Sequence, residues 1–331
     1  MEPAVTGRIR GAGIRYYIPS DPGIGSMIFC DRCPGRAVIF QKYSGRHLCS
    51  RHFQEDVHRK AREVLRSYRI FGGPCRIAVA VSGGKDSSSL LVILHHLFGH
   101  REDVELLAVS IDEGIDGYRP KTLAAAAAVA GDLGVEHIIV SLQDEFGVTT
   151  DQLASGGRPQ GPCSFCGVLR KGLLNKTARS LSADAVATGH NLDDEAQTVM
   201  LNYLKGDVDR LYRLRPKRAI AGMVPRIKPL RRVPEKEMGL YAILRAIPFE
   251  TAACPYISRA MRQEVKDLLN DLEAKHPGTK YSIMRGFDKI NELQPPRSYE
   301  VVACTRCSEP SSDGVCASCR LLEQVRGEES L

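Results

Sequence analysis

The sequence predicts an α/β fold with a doubly wound parallel sheet, flanked at each end of the chain by a small cysteine-rich module. Short runs rich in β-branched residues alternate with stretches of helical length between residues 77 and 204. Strands separated by helices of this length pair in parallel, because each helix returns the chain across the sheet. Cysteine pairs separated by two residues mark both end modules.

The elements of the central region follow in a regular order. Strands are predicted at 77–81, 104–111, 137–140 and 185–188, and helices at 86–97, 121–133, 168–181 and 193–204. A basic helix over 53–68 precedes them, and helices over 235–246 and 258–272 follow. Ligands of such sheets bind beyond the carboxyl ends of the strands. The candidate segments for a functional site are therefore Ser82–Ser87, Asp112–Gly114 and Gly189–Asn191.

The segment Ser82–Ser87, SGGKDS, joins the first strand to its helix and has the composition of a phosphate-binding turn. Its glycines allow the backbone to approach an anion, and the helix N-terminus presents N–H groups and a positive dipole end. Lys85 adds a positive charge, and the two serines add hydroxyl donors. A Walker A loop has a different glycine spacing. We therefore expect a nucleotide phosphate site of another class.

The charge of the 331-residue chain is mildly basic, with 46 Lys and Arg against 39 Asp and Glu. Ten basic residues face two acidic ones between Lys205 and Arg232, and ten face four between Cys30 and Ile70. Such clusters suit the phosphate backbone of a nucleic acid. No apolar run has the length of a membrane span, and the first residues lack the apolar core of a signal peptide. We expect a cytoplasmic protein that does not contact a membrane.

Eleven cysteines in such a chain indicate metal or redox chemistry in a reducing compartment. Two sets have the spacing of tetrahedral zinc sites. The N-terminal set is Cys30, Cys33, Cys49 and His52, with His47 as a substitute for His52, and the C-terminal set is Cys304, Cys307, Cys316 and Cys319. Each set fills all four coordination positions, so we expect two structural Zn²⁺ ions.

A third cysteine pair, Cys163 and Cys166, lies at the start of a predicted helix, and its one plausible partner is the distant Cys254. The helix N-terminus, with Arg170 and Lys171 nearby, predicts a lowered thiol pKa. Three thiolates leave a position open for exogenous sulfur on a [4Fe–4S] cluster. A redox pair that forms a persulfide and a disulfide with Cys254, or a third zinc site, would use the same residues. The residues alone leave these alternatives open.

The acidic segment that follows Gly189 closes the last predicted strand and opens a helix. Asn191 or Asp193 can cap this helix. The remaining acid is a candidate ligand for the Mg²⁺ of a bound nucleotide, or a candidate catalytic group. Asp112 and Glu113 have the same two interpretations. His190 is a candidate catalytic residue or a packing residue at a strand end.

Taken together, these motifs resemble the tRNA 2-thiouridine synthetases of the archaeal and eukaryotic cytosolic type, which are PP-loop ATP pyrophosphatases. The segments that carry the resemblance are 82–87, 110–119, 163–168, 188–195 and 254–256, and the likeness covers residues 27–319. The resemblance implies a Rossmann-like PP-loop fold. It also implies ATP-dependent replacement of a uracil O2 in tRNA by sulfur, with a ubiquitin-like protein thiocarboxylate as the donor.

The resemblance also implies roles for individual residues. Cys163, Cys166 and Cys254 match the cysteines that hold a [4Fe–4S] cluster in that family, which favours the cluster over the redox pair. Asp194 matches the catalytic aspartate, and Lys85 is expected to act in adenylation. ATP contacts would fall on Ala80, Val81, Ser82, Gly83, Gly84, Lys85, Asp86, Ser87, Ile111 and Gly189, and also on Arg170, where some members have lysine.

The segments 112–119, 167–170 and 234–241 resemble the branch that thiolates wobble uridine 34 more than the branch that acts on position 54. We expect reaction at position 34. Alternatives are thiolation at position 54, an adenylating amidotransferase or ligase without sulfur chemistry, and an RNA-binding protein with an inactive nucleotide site. The expected partners are tRNA and the sulfur carrier, and a homodimer is compatible with the sequence.

The predicted domain order has seven parts. They are a flexible extension (1–26), an N-terminal zinc module (27–54), a linker helix (55–75), a PP-loop catalytic domain (76–255), a helical tRNA-binding extension (256–300), a C-terminal zinc ribbon (301–322) and a tail (323–331).

Overall fold

The computed structural model describes residues 28–68, 72–155, 161–214, 222–256, 261–293 and 301–328. The predicted extension at 1–26 lies outside the described residues. The strands are β1 (Phe29–Cys30), β2 (Cys33–Arg36), β3 (Ile39–Gln41), β4 (Arg46–Leu48), β5 (Cys75–Ala80), β6 (Val104–Asp112), β7 (Glu136–Ser141), β8 (Ala185–Thr188), β9 (Arg226–Ile227), β10 (Val302–Ala303) and β11 (Pro310–Ser311). The helices are α1 (Ser50–Ser67), α2 (Lys85–Phe98), α3 (Arg119–Asp132), α4 (Leu142–Phe146), α5 (Thr150–Ser155), α6 (Pro162–Ser180), α7 (Leu192–Leu204), α8 (Val208–Arg213), α9 (Glu235–Leu244), α10 (Met261–Lys275), α11 (Thr279–Leu293) and α12 (Ala317–Glu328).

The central sheet has five parallel strands in the order β7-β6-β5-β8-β9. The chain therefore builds outward from β5 through β6 to β7, and then returns to add β8 and β9 on the other side of β5. The strand order therefore reverses between β5 and β8, and the loops that follow these two strands lie at the reversal point. Doubly wound sheets bind their ligands at such a point. The predicted parallel sheet is confirmed.

The two faces of the sheet pack against separate apolar cores. On one face, Ile77 and Val79 of β5 pack with buried residues of α1, α2 and α9. On the other face, Ala78 of the same strand packs with α6 and with Leu153 of α5. This alternation follows from the two-residue period of a strand, which sends successive side chains to opposite faces.

Helix α1 belongs to the core of the protein, although the sequence suggested a linker with few apolar positions. It begins at Ser50, and Phe53, Val57 and Ala61 are fully buried in the apolar core on the first face of the sheet. Its buried Lys60 forms ion pairs with Asp56 at 2.8 Å and with Glu237 of α9 at 2.9 Å. These contacts fix the N-terminal module on the catalytic domain.

Several elements differ from the sequence prediction. Helix α6 begins at Pro162, six residues before the predicted start, so its first two turns carry Cys163 and Cys166. Strand β9, only two residues long, and helix α11 were not predicted. A strand of two residues is too short to show a two-residue period in its sequence. β9 is recognisable only from its pairing with β8. Among the described residues, no helix combines the length and the apolar character that a membrane crossing needs.

Candidate nucleotide and thiol site

The turn after β5 is shaped by glycine and by one buried hydroxyl. Gly83 has φ +82°, and a Cβ at this position would lie 1.8 Å from the Thr122 carbonyl oxygen, so only glycine fits. Ser87 Oγ accepts a hydrogen bond from the Ser82 N–H at 3.0 Å and donates to the Gly84 oxygen at 3.1 Å. The Ser87 hydroxyl thus stabilises the turn. The sequence had suggested that this hydroxyl donates a hydrogen bond to a phosphate.

The end of β8 lies directly against the start of α2. A Cβ on Gly189 would lie 2.9 Å from the Ser87 backbone nitrogen, so the two segments approach more closely than a side chain would allow. Asn191 caps α7, since its Oδ1 accepts from the N–H groups of Asp193 at 2.9 Å and Asp194 at 3.1 Å. Asp194 Oδ2 accepts the Asn191 N–H in return, which completes a capping box.

The two neighbouring aspartates of α7 have different surroundings. Asp193 is buried, forms an ion pair with Lys280 of α11 and accepts the Glu235 N–H at 2.7 Å. Asp194 faces the nucleotide loop, where burial raises its pKa to about 6, and the charges of Asp86 and Glu235 act in the same direction. Asp193 therefore joins elements together, and Asp194 is the acid that remains available in the cleft.

Two carboxylates form ion pairs with the amine of Lys85. Lys85 Nζ lies 2.7 Å from Asp86 and 3.3 Å from Glu235, and Glu235 also pairs with Lys266 of α10 at 2.9 Å. Asp86 Oδ1 is buried and makes no hydrogen bond to any described residue. Glu235 was missed from the sequence because it begins a helix far along the chain and reaches the cleft only through the packing of α9 on α2.

The three cysteines of the third group come together beside α6. Cys163 Sγ donates to the Tyr256 carbonyl oxygen at 2.6 Å, and Cys254 lies close enough for its charge to act on Cys166. Burial raises the pKa of Cys166 and of Cys254. The expected lowering is wrong for Cys166, because the loss of hydration outweighs the charge of Arg170.

Two connections link the segments that carry the thiols to the nucleotide loop. The Glu250 N–H donates to the Gly83 oxygen at 2.9 Å, so the segment that carries Cys254 lies on the loop itself. The second connection runs through Arg119, which is buried and was not singled out from the sequence. Its guanidinium donates to the carbonyl oxygens of Ser82 at 2.9 Å and Ile111 at 3.0 Å.

Arg119 extends this connection toward the cysteines through a buried carboxylate. It pairs with Glu113 at 2.5 Å, and Glu113 also pairs with Arg170, which follows Cys166 on α6, at 3.2 Å. Glu113 is therefore neutralised by two arginines and does not remain as a free metal ligand. Asp112 accepts the Gly114 N–H at 2.9 Å and shapes the same turn.

A basic rim borders the pocket near His190. Desolvation lowers the pKa of His190 to about 3, and Lys228 and Lys171 add repulsion, so the imidazole is neutral at physiological pH. Its Nδ1 lies 2.9 Å from the Thr188 hydroxyl. Lys228 itself pairs with Glu195 at 2.6 Å. Lys228 belongs to the basic run 205–232 that was predicted to contact nucleic acid, and it forms an ion pair within the protein instead.

The structure brings together both predicted zinc ligand sets, each with all ligand atoms within 4.8 Å of one another. In the N-terminal set, His52 Nδ1 lies 3.3 Å from Cys30 Sγ and 3.4 Å from Cys49 Sγ. His47, the substitute, instead stacks on Phe40. The C-terminal set consists of Cys304, Cys307, Cys316 and Cys319. No third group this compact occurs among the described residues, so Cys163, Cys166 and Cys254 are spread more widely.

Comparison with known proteins agrees with this architecture. The PP-loop domain family matches residues 53–270, and the family described as 2-thiouridine synthetase TtuA, N-terminal LIM domain, matches residues 30–54. The tRNA 2-thiolation protein NcsA of Haloferax volcanii is 39% identical over 317 residues, covering 89% of this chain and 98% of that relative. The chain belongs to the PP-loop tRNA 2-thiolation family.

Other members of the PP-loop tRNA 2-thiolation family are nearly as similar. The tRNA-5-methyluridine(54) 2-sulfurtransferase of Pyrococcus horikoshii is 35% identical, covering 88% of this chain and 92% of that relative. The solved structure of the U34-tRNA thiolase NcsA from Methanococcus maripaludis with its [4Fe-4S] cluster has a TM-score of 0.80 and 34% identity. It covers 91% of this chain and 96% of that chain. The predicted family is confirmed, and the chain is an enzyme of this family.

Proposed function

We propose that this enzyme catalyses the ATP-dependent 2-thiolation of tRNA at wobble uridine 34, in the cytoplasm. The observation that carries the proposal is the link that Glu250 and Arg119 form between the nucleotide loop and the segments that hold Cys163, Cys166 and Cys254. Activation of an oxygen and delivery of sulfur need such proximity, because both reactions occur on the same uracil ring.

The chemistry requires activation before substitution, because a uracil oxygen is a very poor leaving group. The uracil O2 attacks the α-phosphorus of ATP, the bond to the bridging oxygen breaks, and pyrophosphate departs. Sulfur then adds at C2, and AMP leaves with the former O2. The helix N-terminus at Gly84 and the amine of Lys85 are positioned to stabilise the phosphate charge that develops in the first step.

A magnesium ion fits beside the nucleotide loop. Asp86 Oδ1 is a buried oxygen without a hydrogen-bond partner among the described residues, and Asp194 and Glu235 contribute negative charge next to it. Carboxylate oxygens are the ligands that Mg²⁺ takes alongside nucleotide phosphates. A bound Mg²⁺ would offset the phosphate charge and the repulsion among these three acids.

A [4Fe–4S] cluster fits the three thiols better than a single ion does. A zinc ion holds its sulfurs about 2.3 Å away and therefore close to one another, whereas Cys163, Cys166 and Cys254 do not form such a compact group. Held by these three cysteines, a cluster would supply the coordination chemistry for an exogenous sulfur atom. The hydrogen bond from the Cys163 thiol to the Tyr256 carbonyl oxygen holds the start of α6 next to the segment that carries Cys254.

The remaining assignments follow from the same site. We propose Zn²⁺ in the two compact ligand sets and a ubiquitin-like protein thiocarboxylate as the sulfur donor. The NcsA relative described as a U34-tRNA thiolase supports position 34, as do the segments 112–119 and 234–241. The basic rim around His190 and the helices α10 and α11 are the proposed tRNA contacts, and a homodimer stays a prediction.

The proposal is tested with anaerobically purified enzyme, ATP, a sulfur donor and unmodified tRNA, followed by mass spectrometry of the nucleosides. We expect 2-thiouridine at position 34. Lys85→Ala should lower ATP-dependent pyrophosphate release at least about 100-fold, because it removes the charge that faces the phosphates. The control is Lys176→Ala, which removes an exposed lysine of α6 that pairs with Glu145 of α4. This variant should leave pyrophosphate release unchanged. Thiolation at position 54, or full activity of Lys85→Ala, would contradict the proposal.

A further inference from the structure

Helix α5, which packs on α6, carries a buried hydroxyl group that the reaction scheme does not use. We propose that the Thr150 hydroxyl donates a hydrogen bond to the Cys166 sulfur when this residue is a thiolate ligand of the cluster, and that it thereby positions the ligand and raises the reduction potential of the cluster. Thr150 would be a positioning residue, since it acts through Cys166. This inference rests on the cluster in the proposed function.

The first argument is that Thr150 is buried without a partner. Only 1% of the residue is exposed, and its Oγ1 makes no hydrogen bond to any described residue. An unpaired buried hydroxyl destabilises the folded protein relative to a paired one. A hydroxyl group at such a position therefore needs an acceptor that forms in the working state of the protein.

The second argument is that helix capping does not account for this hydroxyl group. Thr149 is the residue that caps α5, because its Oγ1 accepts the Gln152 N–H at 3.1 Å and its own N–H donates to Gln152 Oε1 at 2.7 Å. The capping function of the first turn is thus complete before Thr150. The Thr150 side chain is left for another contact.

The third argument is that hydrogen bonds on both sides of Thr150 anchor the start of α5. The Thr150 N–H donates to the Glu113 oxygen at 2.8 Å. Asp151, the next residue, accepts the hydroxyl proton of Tyr256 at 2.8 Å, and Tyr256 in turn accepts from Cys163. Helix α5 is therefore anchored both to the segment after β6 and to the segment that carries Cys254.

The fourth argument is that the Thr150 hydroxyl interacts with Cys166 on the neighbouring helix α6. Helices α5 and α6 pack against each other through Leu153, Phe165 and Leu169. Across this contact the Thr150 hydroxyl acts electrostatically on the Cys166 side chain, although it forms no hydrogen bond with the thiol. A thiolate is a stronger acceptor than a thiol, so this hydrogen bond would form when Cys166 is a cluster ligand.

The physical consequence concerns the cluster itself. Hydrogen bonds to cysteine sulfurs are among the factors that set the reduction potential of an iron–sulfur cluster, because they stabilise the more negative, reduced state. Ligand-orienting partners of this kind also hold metal sites together. Removal of the hydroxyl is expected to disfavour reduction without changing the cysteine ligands.

The test is an anaerobic redox titration of the cluster in Thr150→Val and Thr150→Ser, with resonance Raman spectra of the iron–thiolate vibrations. Thr150→Val keeps the shape and removes the hydroxyl, so the reduced-to-oxidised ratio at fixed potential should fall about fivefold. The iron–thiolate frequency should rise. Thr150→Ser retains the hydroxyl and should keep both properties. Thr150→Ala, which lacks the hydroxyl but differs in shape, should match Thr150→Val.

A matched control is available on α6 itself. Thr177 is also buried and lies 11 residues beyond Cys166, about 16 Å along the helix axis. Thr177→Val should leave the potential and the Raman spectrum unchanged. Equal shifts in Thr150→Val and Thr150→Ser would indicate packing alone and would overturn the inference, as would unchanged values in Thr150→Val.

The outcome for the wild-type protein separates this inference from the proposed function. A wild-type protein that takes up a cluster, with a Thr150→Val variant of identical potential, overturns the role of Thr150 and leaves the cluster in place. A wild-type protein that takes up no iron overturns the cluster proposal, and the role of Thr150 is overturned with it.

Discussion

At the scale of single residues, the site is governed by the surroundings of each acid. Asp193 and Asp194 are neighbours in the sequence, yet one is paired with Lys280 inside the protein and the other faces the carboxylates of Asp86 and Glu235. Crowding of three acids in a partly dry cleft disfavours the ionised form of Asp194. The free protein therefore carries strain at the position where we propose that Mg²⁺ and ATP bind.

Asp194→Asn tests this strain by stability and by activity. The cost of ionising Asp194 in the folded state is absent below its ordinary pKa of 3.8, grows as the pH rises to about 6, and is complete above that value. Asp194→Asn removes this cost and should stabilise the nucleotide-free protein by about 1–2 kcal/mol at pH 8, because the carboxyl is partly exposed.

The measurement is chemical unfolding of both proteins at pH 8 and at pH 5.5. The gain from Asp194→Asn should be smaller at pH 5.5, where the wild-type carboxyl is mostly protonated. Thiolation should be lost in the same variant, since an amide is a poor Mg²⁺ ligand. A gain that does not depend on pH would argue against the raised pKa, and retained thiolation would argue against the role in catalysis.

At the scale of elements, buried ion pairs connect the helical extension to the catalytic sheet. Lys280 of α11 is 6% exposed and Asp193 of α7 is 4% exposed, and their ion pair lies behind the cleft. Lys280 also donates to Asn270 of α10 at 2.6 Å. The three helices α7, α10 and α11 therefore meet at one charged centre beneath an apolar cluster that includes Leu192, Leu269 and Met284.

Lys280→Met should destabilise the protein by about 3 kcal/mol, because it leaves the buried Asp193 carboxylate without a counter-charge. The double variant Lys280→Met/Asp193→Asn should recover most of this loss, because the unpaired charge is gone. Urea unfolding of the wild type, both single variants and the double variant measures the coupling. Additive losses in the double variant would contradict a direct ion pair.

The two zinc ions that we propose would supply much of the folding free energy of the two small end modules. The strands of the N-terminal module are two to four residues long, and such segments bury too little apolar surface to fold alone. We expect two zinc ions per chain by elemental mass spectrometry. Cys49→Ser and Cys316→Ser should each leave one zinc ion, and Cys75→Ala, at a buried cysteine outside both sets, should keep two.

At the scale of the whole molecule, the site exists because distant parts of the chain meet at the reversal point of the sheet. The loop after β5 supplies the phosphate turn, and β8 and α7 supply Asp194. The segment after α9 returns to Gly83 and brings Cys254 with it. These segments span more than half of the chain, so the pocket forms only when the complete sheet is assembled.

Cys254→Ser tests this long-range assembly. We expect the variant to lose the absorbance near 400 nm and the iron of the anaerobic protein while it keeps both zinc ions, because the third ligand of the cluster is missing. Cys75→Ala is the control and should keep iron and zinc. An iron content in Cys254→Ser equal to that of the wild type would exclude this residue from the cluster.

Much of the site could be predicted from the sequence because most of its functional residues lie in short, continuous segments. The turn SGGKDS, the paired cysteines and the acids after β8 each act through neighbours within a few residues, so their spacing indicates their geometry. The strands β5, β6, β7 and β8 were predicted for the same reason, since a two-residue period and a bounding turn are local properties.

The tertiary structure decided what depends on packing between distant elements. Glu235 reaches Lys85 only because α9 packs on α2, and Arg119 reaches Ser82 only because α3 begins beside the nucleotide loop. The raised pKa of Cys166 and the isolation of the Thr150 hydroxyl arise from burial, which no local pattern of residues reports. The sequence by itself determined the fold class, the phosphate turn and the metal-ligand spacings; the folded structure determined which charges meet and which groups lose water, because desolvation and pairing are properties of the assembled core.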